Sequence, residues 1–300
     1  MSFLEFLSQF RTPLLDQIFR GISYFGEVII LLPLLCILYW CVDKQLGLQA
    51  VLSYFISGGI VQGTKITLRI PRPWVLQPDF QPVESAVGSA TGYSCPSGHT
   101  QSSTSIFGAI VANTKKSWLR ILLGAIPLLV LFSRMYLGVH TPKDVLLAFL
   151  ISILIVFLLQ YTKKNLSISS SYKLGLTILA EFIGVGLIIY SLLLVHWNVS
   201  TLEYVADTIL YAFCLMGFAI SIYVEDRYIH FRTECRSIWM QVVKVVLGIA
   251  GIGILYGGFK LLPWERVWTR SISCFFICVW AFMIFPCFIK KIQKKSYSEL

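Results

Sequence analysis

Long apolar stretches, most of them close to twenty residues and separated by short polar links, dominate this chain. Runs of that length match the hydrocarbon core of a bilayer. They predict nine membrane helices at about 22–42, 47–69, 98–113, 118–137, 142–160, 174–195, 206–224, 238–258 and 271–289. Ahead of the first run, Phe3, Leu7, Phe10, Leu14 and Ile18 recur at helical spacing among polar residues, which predicts a helix lying in the membrane interface. The fold class that follows is all-α, a polytopic membrane helix bundle. No soluble domain or internal repeat interrupts the pattern. The longest polar connection, Pro71 to Cys95, is rich in Pro and Gly, and a loop that long in a compact bundle is usually functional or mobile. The segment from Lys163 to Lys173 divides the runs into five before and four after.

Composition sharpens this picture. Charged residues are 13% of the chain and hydrophobic residues 56%, with mean hydropathy +0.74, far from the roughly 25% charge of soluble domains. The net charge of +10 sits in short loops between apolar runs, a distribution that fits the positive-inside rule rather than nucleic acid. If each run crosses once, 15 of the 25 basic residues fall on one face together with the C-terminus. That face is expected to be cytoplasmic. Eight cysteines show no CxxC and no paired spacing, and six lie in apolar runs, as small buried hydrophobes would. Residues 1–20 lack the features of a signal peptide.

Against this apolar background, four polar clusters stand at helix ends. Charges are expensive at membrane depth and are retained there mainly for function. Lys65 and Arg72 flank a break at Pro71, where an arginine fork and a lysine point charge can grip one anion. The alternative is a pair of cations snorkelling to the interface. Ser97-Gly98-His99 opens a helix, with Ser97 as its cap, Gly98 admitting a ligand to the backbone, and His99 in the first turn. An ordinary cap beside an idle histidine explains the same letters. Ser133-Arg134 closes another helix. His140 and Asp144, four apart around Thr141-Pro142, put a carboxylate within reach of an imidazole. Thr141-x-x-Asp144 is equally a capping box. Three cations, two imidazoles and a carboxylate form a kit for phosphoryl transfer, which depends above all on positioning and charge neutralisation.

In order, KITLRIPRP at 65–73, PSGH at 96–99 and SRMYLGVH…D at 133–144 match a signature of Lys, six residues, Arg-Pro; Pro-Ser-Gly-His; then Ser-Arg, five residues, His, three residues, Asp. The chain thus resembles the type 2 phosphatidic acid phosphatase superfamily, the lipid phosphate phosphatases, over roughly its first 195 residues. The resemblance implies that His140 is the nucleophile that forms a phosphohistidine, oriented by Asp144. It implies that His99 is the general acid, and that Lys65, Arg72, Arg134, Ser97 and Gly98 hold the phosphoryl oxygens. No metal or other cofactor is expected, since three cations fill that role and no carboxylate cluster offers Mg²⁺ ligands.

The chain is longer than the simplest members of that superfamily. The expected organisation is an interfacial helix over 1–21, a six-helix phosphatase core over 22–195 and three additional membrane helices over 196–300. Nine helices resemble the glucose-6-phosphatase and sphingosine-phosphate phosphatase branches, an architectural likeness that says little about substrate. The expected partners are a phosphorylated amphiphile, lipid or polyprenyl, and membrane lipids. The expected setting is a cell membrane in a bacterium or an endoplasmic reticulum-type membrane in a eukaryote. A sugar phosphate is the alternative substrate, and a transporter or scaffold the alternative class, although every motif position carries its catalytic letter. The vanadium haloperoxidases share the motifs but are soluble. Glu27 and Glu181, inside apolar runs, line a cavity or pair within the bundle.

Overall fold

The structure, a computed structural model, describes residues 1–165, 170–235 and 237–298. The link read between Lys163 and Lys173 lies in part outside the described residues, as does Arg236. All regular secondary structure among the described residues is helical. Contacts divide the chain into two compact units, Met1–Leu35 with Leu48–Asn165, and Cys36–Gly47 with Leu166–Leu300.

The first unit holds every motif residue. Its helices are α1 (Ser2–Ser8), α2 (Pro13–Ser23), the start of α3 (Val28–Ile37), most of α4 (Lys44–Leu68), short α5 (Pro73–Leu76) and α6 (Glu84–Val87), then α7 (Gly98–Asn113), α8 (Ser117–Tyr136) and α9 (Pro142–Asn165). The N-terminal stretch read as one helix is two. Thr12 caps α2, its Oγ1 accepting from the Leu15 amide at 3.3 Å, and Pro13 takes the first helical position, where its missing N–H costs nothing. Leu4 and Leu7 turn inward onto Phe80, Met135 and Val145, while Phe3, Phe10, Leu14 and Ile18 stay exposed.

Among the described residues, seven helices are long and apolar enough to cross a membrane, and an eighth candidate is the bent pair Pro13–Gly26 and Val28–Val42. The ninth expected span, α7, has 16 residues, rising about 24 Å where the bilayer core needs about 30 Å. Its letters are polar because protein, not lipid, surrounds it. Thr100, Gln101, Ser103, Thr104 and Ser105 are all buried. Gln101 Nε2 donates to Ser57 Oγ of α4 at 2.8 Å, and the Ser57 and Ser105 hydroxyls meet at 2.6 Å. Further along, Asn113 Nδ2 donates to Gln49 Oε1 at 2.9 Å, and Gln49 Nε2 donates to Gln160 Oε1 of α9 at 2.7 Å. In lipid no apolar force draws helices together, so such bonds, about 0.6 kcal/mol each, and small residues set the packing.

The second unit contains α10 (Ser170–His196), α11 (Leu202–Val224), α12 (Ile238–Lys260), α13 (Arg266–Val279) and α14 (Phe285–Ser298). A Cβ on Gly217 would stand 2.6 Å from the Phe275 carbonyl oxygen, so glycine lets α11 and α13 approach backbone to backbone. Lys44 pairs with buried Glu225 at 2.6 Å. Lys244 is buried on α12 and donates to the Trp40 and Thr233 carbonyls at 2.8 and 2.9 Å.

Candidate active site

The spacing of each motif follows from how one helix ends and the next begins. Arg69, in the left-handed region at φ 51°, stops α4, and the chain turns through Pro71 to bring Arg72 back towards the helix end. At the foot of α8, Gly138 adopts φ +75° while the Val139 amide returns to the Arg134 carbonyl at 3.2 Å. A Cβ there would stand 2.5 Å from Arg11 Nη2 and 2.9 Å from the Phe80 ring, so position 138 admits only glycine. That turn carries His140 back beside the buried Arg134. The long 71–95 connection packs over this turn through Trp74, Val83, Ala86 and Ala90, with Leu15 and Phe19 of α2 outside it. Arg11 ties the layers, donating to the Tyr136 carbonyl at 3.2 Å and the Gln81 carbonyl at 2.5 Å.

Lys65, Arg72, Arg134, His140 and Asp144 are all buried. Arg72 is fixed by three backbone carbonyls: Nε donates to Gly92 at 3.1 Å, Nη1 to Val139 at 3.0 Å and Nη2 to Thr91 at 2.5 Å. Its Nη1 also lies 2.9 Å from His140 Nε2. On the far side of that ring, Asp144 Oδ2 faces Nδ1 at 3.5 Å, within ion-pair reach but longer than a hydrogen bond. The same oxygen accepts from Ser94 Oγ at 2.6 Å and from the Thr141 amide at 2.8 Å. Asp144 therefore caps the start of α9 and faces the imidazole at once; the two readings of its letters are compatible. Burial, followed by the charge of Arg72 and then Arg134, holds the His140 imidazole well below its ordinary value against the opposing pull of Asp144.

Arg134 is wholly enclosed. Its Nη1 donates to Ser23 Oγ at 2.7 Å, whereas buried Nε and Nη2 have no partner among the described residues. Unsatisfied donors on a buried cation are costly, and an anion is the ligand that would satisfy them. The charge of Arg134 bears on both His99 and His140. Ser97 caps α7, its Oγ accepting from the Thr100 hydroxyl at 3.1 Å and the Thr100 amide at 3.5 Å. Nothing stands within 4 Å of where a Gly98 Cβ would lie, so the α7 N-terminus opens onto free space. Lys65 lies close enough to Cys95 to act on its thiol, which burial and then Asp144 push up to about 12. At neutral pH that thiol is protonated and a poor nucleophile.

Three contributors lie outside the expected site residues, although Glu27 is expected to line a cavity or pair within the bundle. Ser94 holds Asp144, Ser23 holds Arg134, and Glu27 lies 3.3 Å from His99 Nε2. Only Glu27 carried a signal, as a charge inside an apolar run.

Residues 46–167, which include all eight expected site residues, match the PAP2 superfamily. The chain belongs to that superfamily. Residues 209–296 match the PAP2 superfamily phosphatase transmembrane extension. The PAP2 region also resembles phosphatidylglycerophosphatase B of Bacillus subtilis, 28% identical over half of this chain and 76% of that protein. It is 32% identical to sphingosine-1-phosphate phosphatase 1 of Rattus norvegicus, over 54% of this chain and 38% of that protein. The chain thus spans well under half of that second relative. A solved PAP2-type phosphatidylglycerolphosphate phosphatase from Bacillus subtilis aligns with 26% identity and a TM-score of 0.48, covering 55% of this chain and 85% of that one.

Proposed function

We propose that this PAP2 protein is an integral-membrane phosphatase that hydrolyses the phosphomonoester or diphosphate of a lipid or polyprenyl substrate through a phosphohistidine on His140. The observation that carries the reading is the orientation of His140. Arginine only donates, so the nitrogen facing Arg72 at 2.9 Å is the one with the lone pair, and the proton is on Nδ1, towards Asp144. A neutral imidazole, its lone pair turned to a fixed guanidinium that a phosphoryl oxygen would engage in its place, and its proton aimed at a carboxylate, is an oriented nucleophile beside an oxyanion site.

In the proposed cycle the phosphoryl oxygens lie among Arg72, Arg134 and Lys65, with the α7 N-terminus contributing amides. Nε2 of His140 forms a bond to phosphorus as the bond to the leaving oxygen breaks, and His99 gives that oxygen a proton. A water then attacks the phosphohistidine, surrendering a proton to His99; phosphate leaves and His140 returns to its neutral form. Asp144 faces Nδ1–H and stabilises the positive charge that the ring acquires. No step requires a metal.

An amphiphilic substrate fits a site at the ends of membrane helices, and both relatives named above act, by name, on phosphorylated lipids. The excess of basic residues on the opposite face supports a non-cytoplasmic site and a cytoplasmic C-terminus. The deciding experiment is phosphate release by purified protein from a panel holding a phosphatidate, a sphingoid-base phosphate, a polyprenyl diphosphate and a hexose phosphate. Turnover of the lipid substrates is expected. Turnover of the hexose phosphate alone would replace the lipid reading.

A further inference from the structure

Glu27 has no place in the cycle above, yet it is built into the site with care. It follows a 3-10 turn, Tyr24–Gly26, at the bend between α2 and α3. Gly26 makes the approach possible: a Cβ there would lie 2.7 Å from the His99 carbonyl oxygen and 2.8 Å from its Cβ. The bend thus rests against the first turn of α7. From that position Glu27 Oε1 faces His99 Nε2 at 3.3 Å. The same oxygen accepts from Arg20 Nη1 on α2, and the Arg20 guanidinium lies over the Tyr24 ring, 4.3 Å from its centroid. Arg20, Glu27 and His99 form a chain in which each member fixes the next, all with side chains under 20% exposed.

We propose that Glu27 is the positioning residue of the proton donor: its carboxylate orients His99 by holding Nε2–H and leaves Nδ1 to serve the leaving oxygen. The inference rests on the phosphatase reading. A general acid must be charged before it acts, and His99 has Arg134 and Arg72 bearing on it from the phosphate side. Burial first, and then those two cations, disfavour an imidazolium, so a donor there needs an opposing carboxylate. Glu27 supplies it at 3.3 Å from Nε2. Against its partial burial, His99 and then Arg20 hold Glu27 in the ionised form, so its carboxylate is an acceptor for Nε2–H. The layout parallels the His140–Asp144 pair, with one carboxylate for each imidazole.

Glu27→Gln, Glu27→Asp, His99→Ala and the double variant Glu27→Gln/His99→Ala separate this role from a structural one. Two substrates are compared, dioctanoyl phosphatidate, whose leaving alkoxide needs a proton, and p-nitrophenyl phosphate, whose leaving group does not. General acid catalysis contributes ~10²–10⁴-fold, so Glu27→Gln is expected to lower kcat on the phosphatidate by about tenfold or more with KM little changed. The first burst of p-nitrophenol should stay within about threefold of wild type. The alkaline limb of the phosphatidate profile should move down by about one pH unit, because the imidazolium loses its counter-charge. Glu27→Asp should restore part of the loss, and the double variant should be no slower than His99→Ala. Equal losses on both substrates, or losses that multiply in the double variant, would overturn the assignment. A wild type inert towards both substrates overturns the phosphatase reading itself, and the dyad's catalytic meaning with it.

Discussion

Arg72 Nη1 and His140 Nε2 stand 2.9 Å apart, 68 positions apart in the chain, with the guanidinium anchored to the carbonyls of Thr91, Gly92 and Val139. Those anchors fix the plane of the fork relative to the ring. A lysine offers one charge but neither the plane nor the three-carbonyl clamp. Arg72→Lys is therefore expected to cut kcat/KM by about 10²–10³-fold, the loss of one or two charge-assisted hydrogen bonds at roughly 1.5–3 kcal/mol each. Steady-state kinetics on a lipid phosphate checks it. Retention of more than about a third of the activity would show that charge alone suffices.

Asp144 serves two masters, and a substitution can tell them apart. In Asp144→Asn the capping bond from the Thr141 amide and the Ser94 hydroxyl bond can persist on the amide oxygen, at a cost of about 1 kcal/mol in stability. The carboxylate that balances the charged His140 ring is lost, and a comparable change in a hydrolase triad lowers kcat about 10⁴-fold. The expected result is a folded protein with a small Tm shift and a rate depressed by orders of magnitude. Ser94→Ala, which removes one neutral donor to the same oxygen, should cost far less, about tenfold.

Much of this was legible in the letters, and the exceptions have physical causes. Lys65, Arg72, Arg134 and Asp144 stood out because a charge at the edge of an apolar run demands an explanation, and the helix ends fall at the expected places around them. Ser94 and Ser23 did not, because their bonds close over 50 and 111 positions and leave no local period; Glu27 stood out as a charge, but its partner, 72 positions away, did not. The break at Thr12–Pro13 was hidden by an apolar stripe that continues across it in phase. The shortness of α7 was readable from its polar composition; its enclosure by protein, which makes that composition tolerable, was not.

In the proposed cycle Lys65, Arg72 and Arg134 supply the positive charge that a metal supplies elsewhere. Among the described residues no group of three or more His, Cys, Asp or Glu side chains is arranged to hold a metal ion. Activity is expected to survive dialysis against EDTA unchanged and to fall with micromolar to millimolar vanadate, which forms a five-coordinate species beside His140. Loss of activity on chelation, regained with Mg²⁺, would refute a cation-only site.

Ser85, on α6 of the long connection, is exposed and lies on the site's side of the bundle. In a Ser85→Cys protein, a membrane-impermeant maleimide is expected to label intact cells or right-side-out vesicles beyond the level of the native cysteines. Labelling that requires opening of the cytoplasmic face would reverse the proposed orientation.

The identity of the nucleophile can be settled between two buried candidates. His140 carries its lone pair at Nε2, facing Arg72, and Cys95 sits close by, near Lys65 and Asp144. The Cys95 thiol, pushed up to about 12, remains protonated at working pH, whereas His140 is held neutral. A phosphoenzyme trapped by acid-free quenching should carry the stability of a phosphoramidate, persistent in base and labile in acid. His140→Ala should abolish it together with turnover, and Cys95→Ala should keep both. The pH dependence follows from the same environment. A proton on Nε2 blocks attack, and the ordinary imidazole value is about 6.5. Because the folded value lies below that, phosphoenzyme formation should persist as the pH falls through about 6.5 and fail only further down. Removing a neighbouring cation, as in Arg134→Gln, relieves part of the depression and should move that acid limb up in pH, with substrate ionisation common to both proteins. An acid limb unmoved by Arg134→Gln, or a phosphoenzyme that survives His140→Ala, would take the nucleophile away from His140.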